Sequence, residues 1–92
     1  IEAEFDGGHV TVCGHAGHAQ AGQDIVCAAV SALVYALAGS LEETGQAARI
    51  CIRRGFAEVE GAGDCGAAFT LVRCGLAQLA RQYPACVQVT GS

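Results

Sequence analysis

The 92-residue chain has no lysine, methionine or tryptophan, a single proline, and charge on only 15% of its residues. Five arginines against nine carboxylates leave a net charge of -4, which opposes binding to nucleic-acid phosphates and favours a basic protein or peptide partner. DNA and RNA are not expected as direct ligands. No charged segment with an apolar stretch and a small-residue cleavage site opens the sequence, so no secretory signal is read there. The longest apolar run, Ile25 to Leu41, covers 17 residues and includes Ser31, Gly39 and Ser40. It falls short of the ~20 needed to cross hydrocarbon, so a buried helix is expected and no membrane partner. Repeats, linkers and low-complexity tails are missing too. One domain is all that fits, near the size at which a core alone is marginal and dimerisation is a natural supplement.

Six cysteines in so short a chain raise the question of a disulfide framework. Such frameworks accompany loop-rich, weakly hydrophobic sequences, whereas this one is 52% hydrophobic. Cys13, Cys51, Cys74 and Cys86 fall in apolar periodic segments, where a cysteine serves as a small core residue. The expectation is reduced thiols in the cytoplasm.

Alternation predicts strands from Ile1 to Phe5 and His9 to Cys13, joined through the turn Asp6-Gly7-Gly8. Gly14 to Gln23 follows neither strand nor helix period and reads as a mobile loop. A helix is expected from about Ile25 to Glu43, ended by Gly45. A second strand pair follows, Ala48 to Arg53 and Phe56 to Glu60, turning at Arg54-Gly55. Gly61-Ala62-Gly63 breaks the pattern, and Asp64 is placed to cap a helix from about Cys65 to Tyr83. That helix repeats apolar residues at Phe69, Val72, Leu76, Leu79 and Ala80, with Arg73, Gln78 and Arg81 opposite. Pro84 stops it, and Cys86 to Val89 supplies a last strand. The order ββαββαβ predicts an α+β fold, a two-layer sandwich of about five strands with two helices on one face.

The chemistry concentrates between Gly14 and Ser31. Asp24 precedes the apolar run and reads as the N-cap of the first helix, which puts Ile25, Val26 and Cys27 in its first turn. Unsatisfied N–H groups and the helix dipole favour a thiolate at such a position, and a neighbouring imidazolium adds to the effect. His15 lies twelve residues before Cys27 across a glycine- and alanine-rich stretch that can fold back to bring ring and sulfur together. The pair reads as a cysteine nucleophile with its base. Amides around Asp24 to Cys27, and near Gly22, are candidate donors to a tetrahedral oxyanion.

The segment Gly14-His15-Ala16, the glycine-containing loop, and Asp24-Ile25-Val26-Cys27-Ala28 with Ser31 four residues past the cysteine resemble the ribosomal-processing cysteine proteases of the Prp family. The resemblance extends to the element order over essentially the whole chain. It implies a cytoplasmic, homodimeric cysteine endopeptidase that removes the N-terminal extension of large-subunit ribosomal protein twenty-seven, cutting after phenylalanine. It also implies Cys27 as nucleophile and His15 as general base, with Asp24, Ser31, Gly14 and Gly22 supporting the site or the substrate. No cofactor or metal is called for. His18 and Ala21 depart from the residues common at those positions in the family, and both lie in the loop that would meet the peptide.

Two other classes compete. Cys13, His15, His18 and Cys27 could supply four ligands to zinc or form a redox module, although their spacing matches no common finger. A non-catalytic, ribosome-associated interaction domain would use the same surface to hold peptide without cutting it. His9 reads as a solvated strand residue, and Arg53, Arg54, Glu58 and Glu60 as a solvated strand face.

Overall fold

The computed structural model describes residues 1–14 and 21–91, the side chains of residues 21–24 excepted. Its elements run β1 (Glu2–Phe5), β2 (His9–Cys13), α1 (Ala21–Glu43), β3 (Ala47–Arg53), β4 (Phe56–Gly61), α2 (Gly66–Gln82) and β5 (Gln88–Gly91). This is the expected ββαββαβ order in two layers. The strands form one sheet in the order β3-β4-β2-β1-β5. All neighbours pair antiparallel except β1 and β5, which are parallel with Glu2 opposite Gln88.

Alternation decides which side of each strand meets the helices. Ala3, Phe5, Val10, Val12, Ala57 and Val59 are buried on the helix side. On α1, Val26, Val30, Val34, Leu37, Ala38 and Leu41 recur at helical spacing and close over them; α2 adds Phe69, Val72 and Leu76. No polar or charged residue is buried among the described residues. The core therefore coheres through apolar burial, worth about 1.5–3 kcal/mol for each fully enclosed Leu or Val.

Length and composition alone would let residues Ile25–Glu43 of α1 cross a membrane. Its inner stripe instead packs on the sheet, as a core helix does. Its outer face leaves Ile25 and Tyr35 more than 60% exposed. The helix stops in a Schellman arrangement: Gly45 takes φ +72°, its N–H meets the Glu42 carbonyl, and the Gln46 N–H meets Leu41.

Several expectations are corrected. Helix α1 starts at Ala21, so Asp24 lies in its first turn instead of capping it, and Ala21 to Gln23 are helix instead of loop. Alanine and glutamine are good helix formers, and a carboxylate in the first turn is favoured by the dipole as much as one at the cap. Asp64 does not cap α2 either. The N-cap is Cys65, without a side-chain hydrogen bond, held by burial of its side chain in the core. Strand β5 begins at Gln88 because the amides of Cys86 and Val87 turn back to the Tyr83 carbonyl. Of the four cysteines expected in the core, Cys13 and Cys74 are exposed and Cys51 and Cys86 half-buried; only Cys65 is buried. Cys13 sits on the outer face of the sheet, and Cys74 follows Arg73 on the outward side of α2.

Candidate active site

A cleft of about 360 Å³ opens where the end of β2, the middle of α1 and the β3–β4 hairpin converge. Helix α1 contributes Cys27, Val30, Ser31, Val34 and Tyr35; the strands and the hairpin contribute Val12, Gly14 and residues Ile52 through Ala57; Ile1 closes one side. The convergence follows from register. Cys13 at the end of β2 lies opposite Phe56 at the start of β4, so the hairpin tip stands beside the exit of β2. The Gly14 N–H donates to the Gly55 carbonyl at 2.9 Å and pins the two together. Gly55, at φ +76°, occupies the second turn position, where the left-handed region is needed.

Cys27 is half-buried, packed against the core on one side and facing the cleft on the other. Ser31, one turn later, lines the same cleft, and its hydroxyl forms no hydrogen bond among the described residues. The expected pairing of these two on one helix face is what the fold produces.

The first-turn reading of Cys27 is not. From Ala21 it is the seventh helical residue, about 9 Å along the axis. A regular helix uses the N–H groups from Asp24 to Cys27 internally and leaves those up to Gln23 unpaired, so the oxyanion donors expected from Asp24 to Cys27 are already committed. The dipole acts chiefly within the first turn. His15 and His18 lie outside the described residues, and so does the side chain of Asp24.

The third histidine is elsewhere. His9 Nε2 lies 2.8 Å from Glu58 Oε2 on the outer face of the sheet, and Arg49 Nε reaches the other Glu58 oxygen at 3.2 Å. Hydrogen bonding to His9, with Arg49 nearby, holds the Glu58 carboxyl below its ordinary 4.5. So His9 and Glu58 are a bonded pair in place of the separate solvated residues expected, and neither faces the cleft.

The zinc arrangement is contradicted by the same geometry. Cys13 lies exposed on the outer face, lining a shallow groove with Glu2, Glu4, Thr11, Gln88 and Thr90, while Cys27 opens on the helix side. The two sulfurs face opposite layers and cannot share one ion.

Sequence reading missed the hairpin tip. Arg53 and Arg54 line the cleft, with the Arg53 guanidinium 4.6 Å from the Phe56 ring centre. Arg54 forms no ion pair among the described residues. The signal was present in the strand order, because antiparallel pairing of β2 with β4 brings the Arg54-Gly55 turn to the end of β2. Arg54 thus brings a cation to the cleft although the chain is acidic, while the Arg53 guanidinium, 3.9 Å from Cys51 Sγ, lies on the solvent side of the sheet with the carboxylates of β1 and β4.

A half-buried thiol on a core helix, opening into a cleft within a two-layer α+β sandwich, is the arrangement in which a cysteine nucleophile can meet a substrate. The sequence pattern of the cysteine protease Prp family matches residues 4–88, and the chain belongs to that family of cysteine proteases. The fold is shared with SMU.848 from Streptococcus mutans, at a TM-score of 0.79 and 27% identity over 97% of this chain and 90% of that one. It is also shared with the essential ribosomal processing protease Prp from S. aureus in two complexes. One holds a covalently linked product peptide (TM-score 0.78, 17% identity) and the other a substrate peptide (0.79, 16%), each match covering 97% of this chain and 94% of that one. No curated protein matches the sequence.

Proposed function

We propose that this chain is the endopeptidase that removes the N-terminal extension of large-subunit ribosomal protein twenty-seven, cutting after a phenylalanine, with Cys27 as nucleophile and His15 as base. The observation that carries the reading is the position of Cys27, its thiol opening into an apolar cleft large enough for an aromatic side chain. His9 is bonded to Glu58 on the outer face, away from the cleft, which favours the segment holding His15 and His18 as the source of the base in this reading. The Gly14-His15-Ala16 motif favours His15.

In this mechanism the Cys27 sulfur attacks the carbonyl carbon that follows the phenylalanine Cα, and His15 takes the thiol proton. Collapse of the tetrahedral intermediate breaks the C–N bond as the imidazolium returns the proton to the leaving amine. Water, deprotonated by the same ring, then hydrolyses the thioester and frees the leader carboxylate. The covalently linked product of the S. aureus relative is consistent with such a route. Asp24, Ser31, Gly14 and Gly22 support the site or the peptide in this reading. Neither metal nor cofactor takes part.

A homodimer in the cytoplasm completes the proposal. Ile25 on α1 and Leu71 on α2 are large apolar groups at the surface away from the cleft, which a second copy would cover. The thiol state of all six cysteines fits a reducing compartment. The test is incubation of the protein with a peptide spanning the precursor junction: cleavage after phenylalanine supports the reading, and an intact peptide refutes it. Sedimentation at micromolar concentration checks the dimer, which a Leu71→Glu substitution should weaken.

A further inference from the structure

The two edges of the sheet are finished differently. At β5, a four-residue edge, Arg73 from α2 donates from Nε and Nη2 to the Gly91 carbonyl at 3.2 and 2.7 Å, closing the end of the strand. At β3, the seven-residue edge, nothing among the described residues pairs with the outer peptide groups. The hairpin shows which groups these are. Arg53 and Phe56 close a two-residue turn, so Arg53 and Cys51 direct their N–H and C=O toward β4, and Ile52 and Ile50 direct theirs outward. Past the irregularity between Ala47 and Arg49, the regular stretch Arg49 to Arg53, uncovered among the described residues and without proline, is a template for another strand.

Resting on the protease reading, we infer that the substrate peptide docks as a sixth strand on the outer edge of β3, with the outward N–H and C=O groups of Ile50 and Ile52 as its main-chain partners. Continuity with the cleft selects this occupant. Ile52 lines the cleft that contains Cys27, so a strand laid along β3 runs past the hairpin tip into reach of the sulfur. Its alternate side chains then face α1 and drop into the cleft, while the others face the solvent beside Arg49 and Arg53. Main-chain pairing fixes the register of the cut, and the cleft reads one side chain.

The test uses the full chain carrying Cys27→Ala and a synthetic peptide spanning the precursor junction. Binding is measured by fluorescence anisotropy for a series of peptides, each N-methylated at one backbone nitrogen. Docking on β3 predicts a two-residue period, with about two- to tenfold weaker binding at alternate positions and little change between them. In the protein, Ile50→Pro removes one outward N–H without touching the β4 ladder, a change edge strands tolerate. It should weaken binding about two- to tenfold, whereas Ile50→Val should not. A flat N-methyl profile, or unchanged affinity in folded Ile50→Pro, overturns the docking while leaving the protease reading intact. Loss of dimerisation in Ile50→Pro with peptide affinity unchanged overturns it too, because β3 would then be covered by a second copy. Absence of any binding by Cys27→Ala, folded by circular dichroism, refutes the protease reading instead.

Discussion

Helix α1 carries Cys27, and its contact with α2 can be tested by two glycines that differ in what surrounds them. A Cβ added at Gly39, midway along α1, meets no atom within 4 Å. There Ala should gain the helix-propensity difference, about 0.5–1 kcal/mol. For a domain of this size that is a rise in Tm of roughly 2–8 °C. At Gly75 in α2 the same atom would stand 3.1 Å from both δ-methyls of Leu33. Gly75→Ala gains similar propensity and loses to crowding, typically about 1–3 kcal/mol, so it should be neutral or destabilising. Leu33→Ala removes the obstruction, and in that background Gly75→Ala should again stabilise, with a coupling of about 1 kcal/mol or more. Urea and thermal unfolding of the four variants and the parent measure all of this. Equal gains at Gly39 and Gly75, or no coupling to Leu33, would refute the close approach of the helices. A Gly39→Ala variant less stable than the parent would show that the outer face of α1 is covered in solution.

Three further outcomes are expected. Glu58 titrates below its ordinary 4.5 because of His9 and Arg49, so its contribution is fully present above that pH and is lost as pH falls through the lowered value. Thermal unfolding between pH 6 and 3 should therefore show a shallower acid limb for Glu58→Gln than for the parent, and coincident limbs would contradict the assignment. Arg54→Glu replaces a cation at the cleft rim, so kcat/KM for a peptide with basic residues after the cut should rise a few-fold at low salt. The gain should vanish near 0.5 M salt, and a salt-independent change would mean that the rim does not act through charge. Leu76, fully buried beneath α2, should cost about 2–5 kcal/mol on replacement by Ala. A loss under 1 kcal/mol in urea unfolding would place it outside the core.

Most of the architecture was legible because periodicity and turn residues are local. Phe69, Val72 and Leu76 announce the buried stripe of α2, and Gly45 announces the end of α1. The starts of the helices were misread because Asp24 and Asp64 have the chemistry of a cap without occupying it: Asp24 lies in the first turn of α1, where a carboxylate is also favoured, and Asp64 lies one residue before the cap of α2. Cys13 was misread because alternation places a residue on one of two faces without saying which is covered. At the site, Cys27 and Ser31 could be seen as helical neighbours four residues apart. The hairpin tip could not, since Arg53, Arg54 and Phe56 reach the cleft only through the pairing of β2 with β4. Such contacts between distant segments leave no mark in local spacing.

The central claim is that the Cys27 sulfur cuts the precursor extension at phenylalanine, and intact-mass analysis of a junction peptide incubated with parent protein and with Cys27→Ala tests it most directly. The account predicts two fragments separated after the phenylalanine with the parent and an uncut peptide with the variant. An uncut peptide with the parent, or the same fragments at the same rate from the variant, would contradict it.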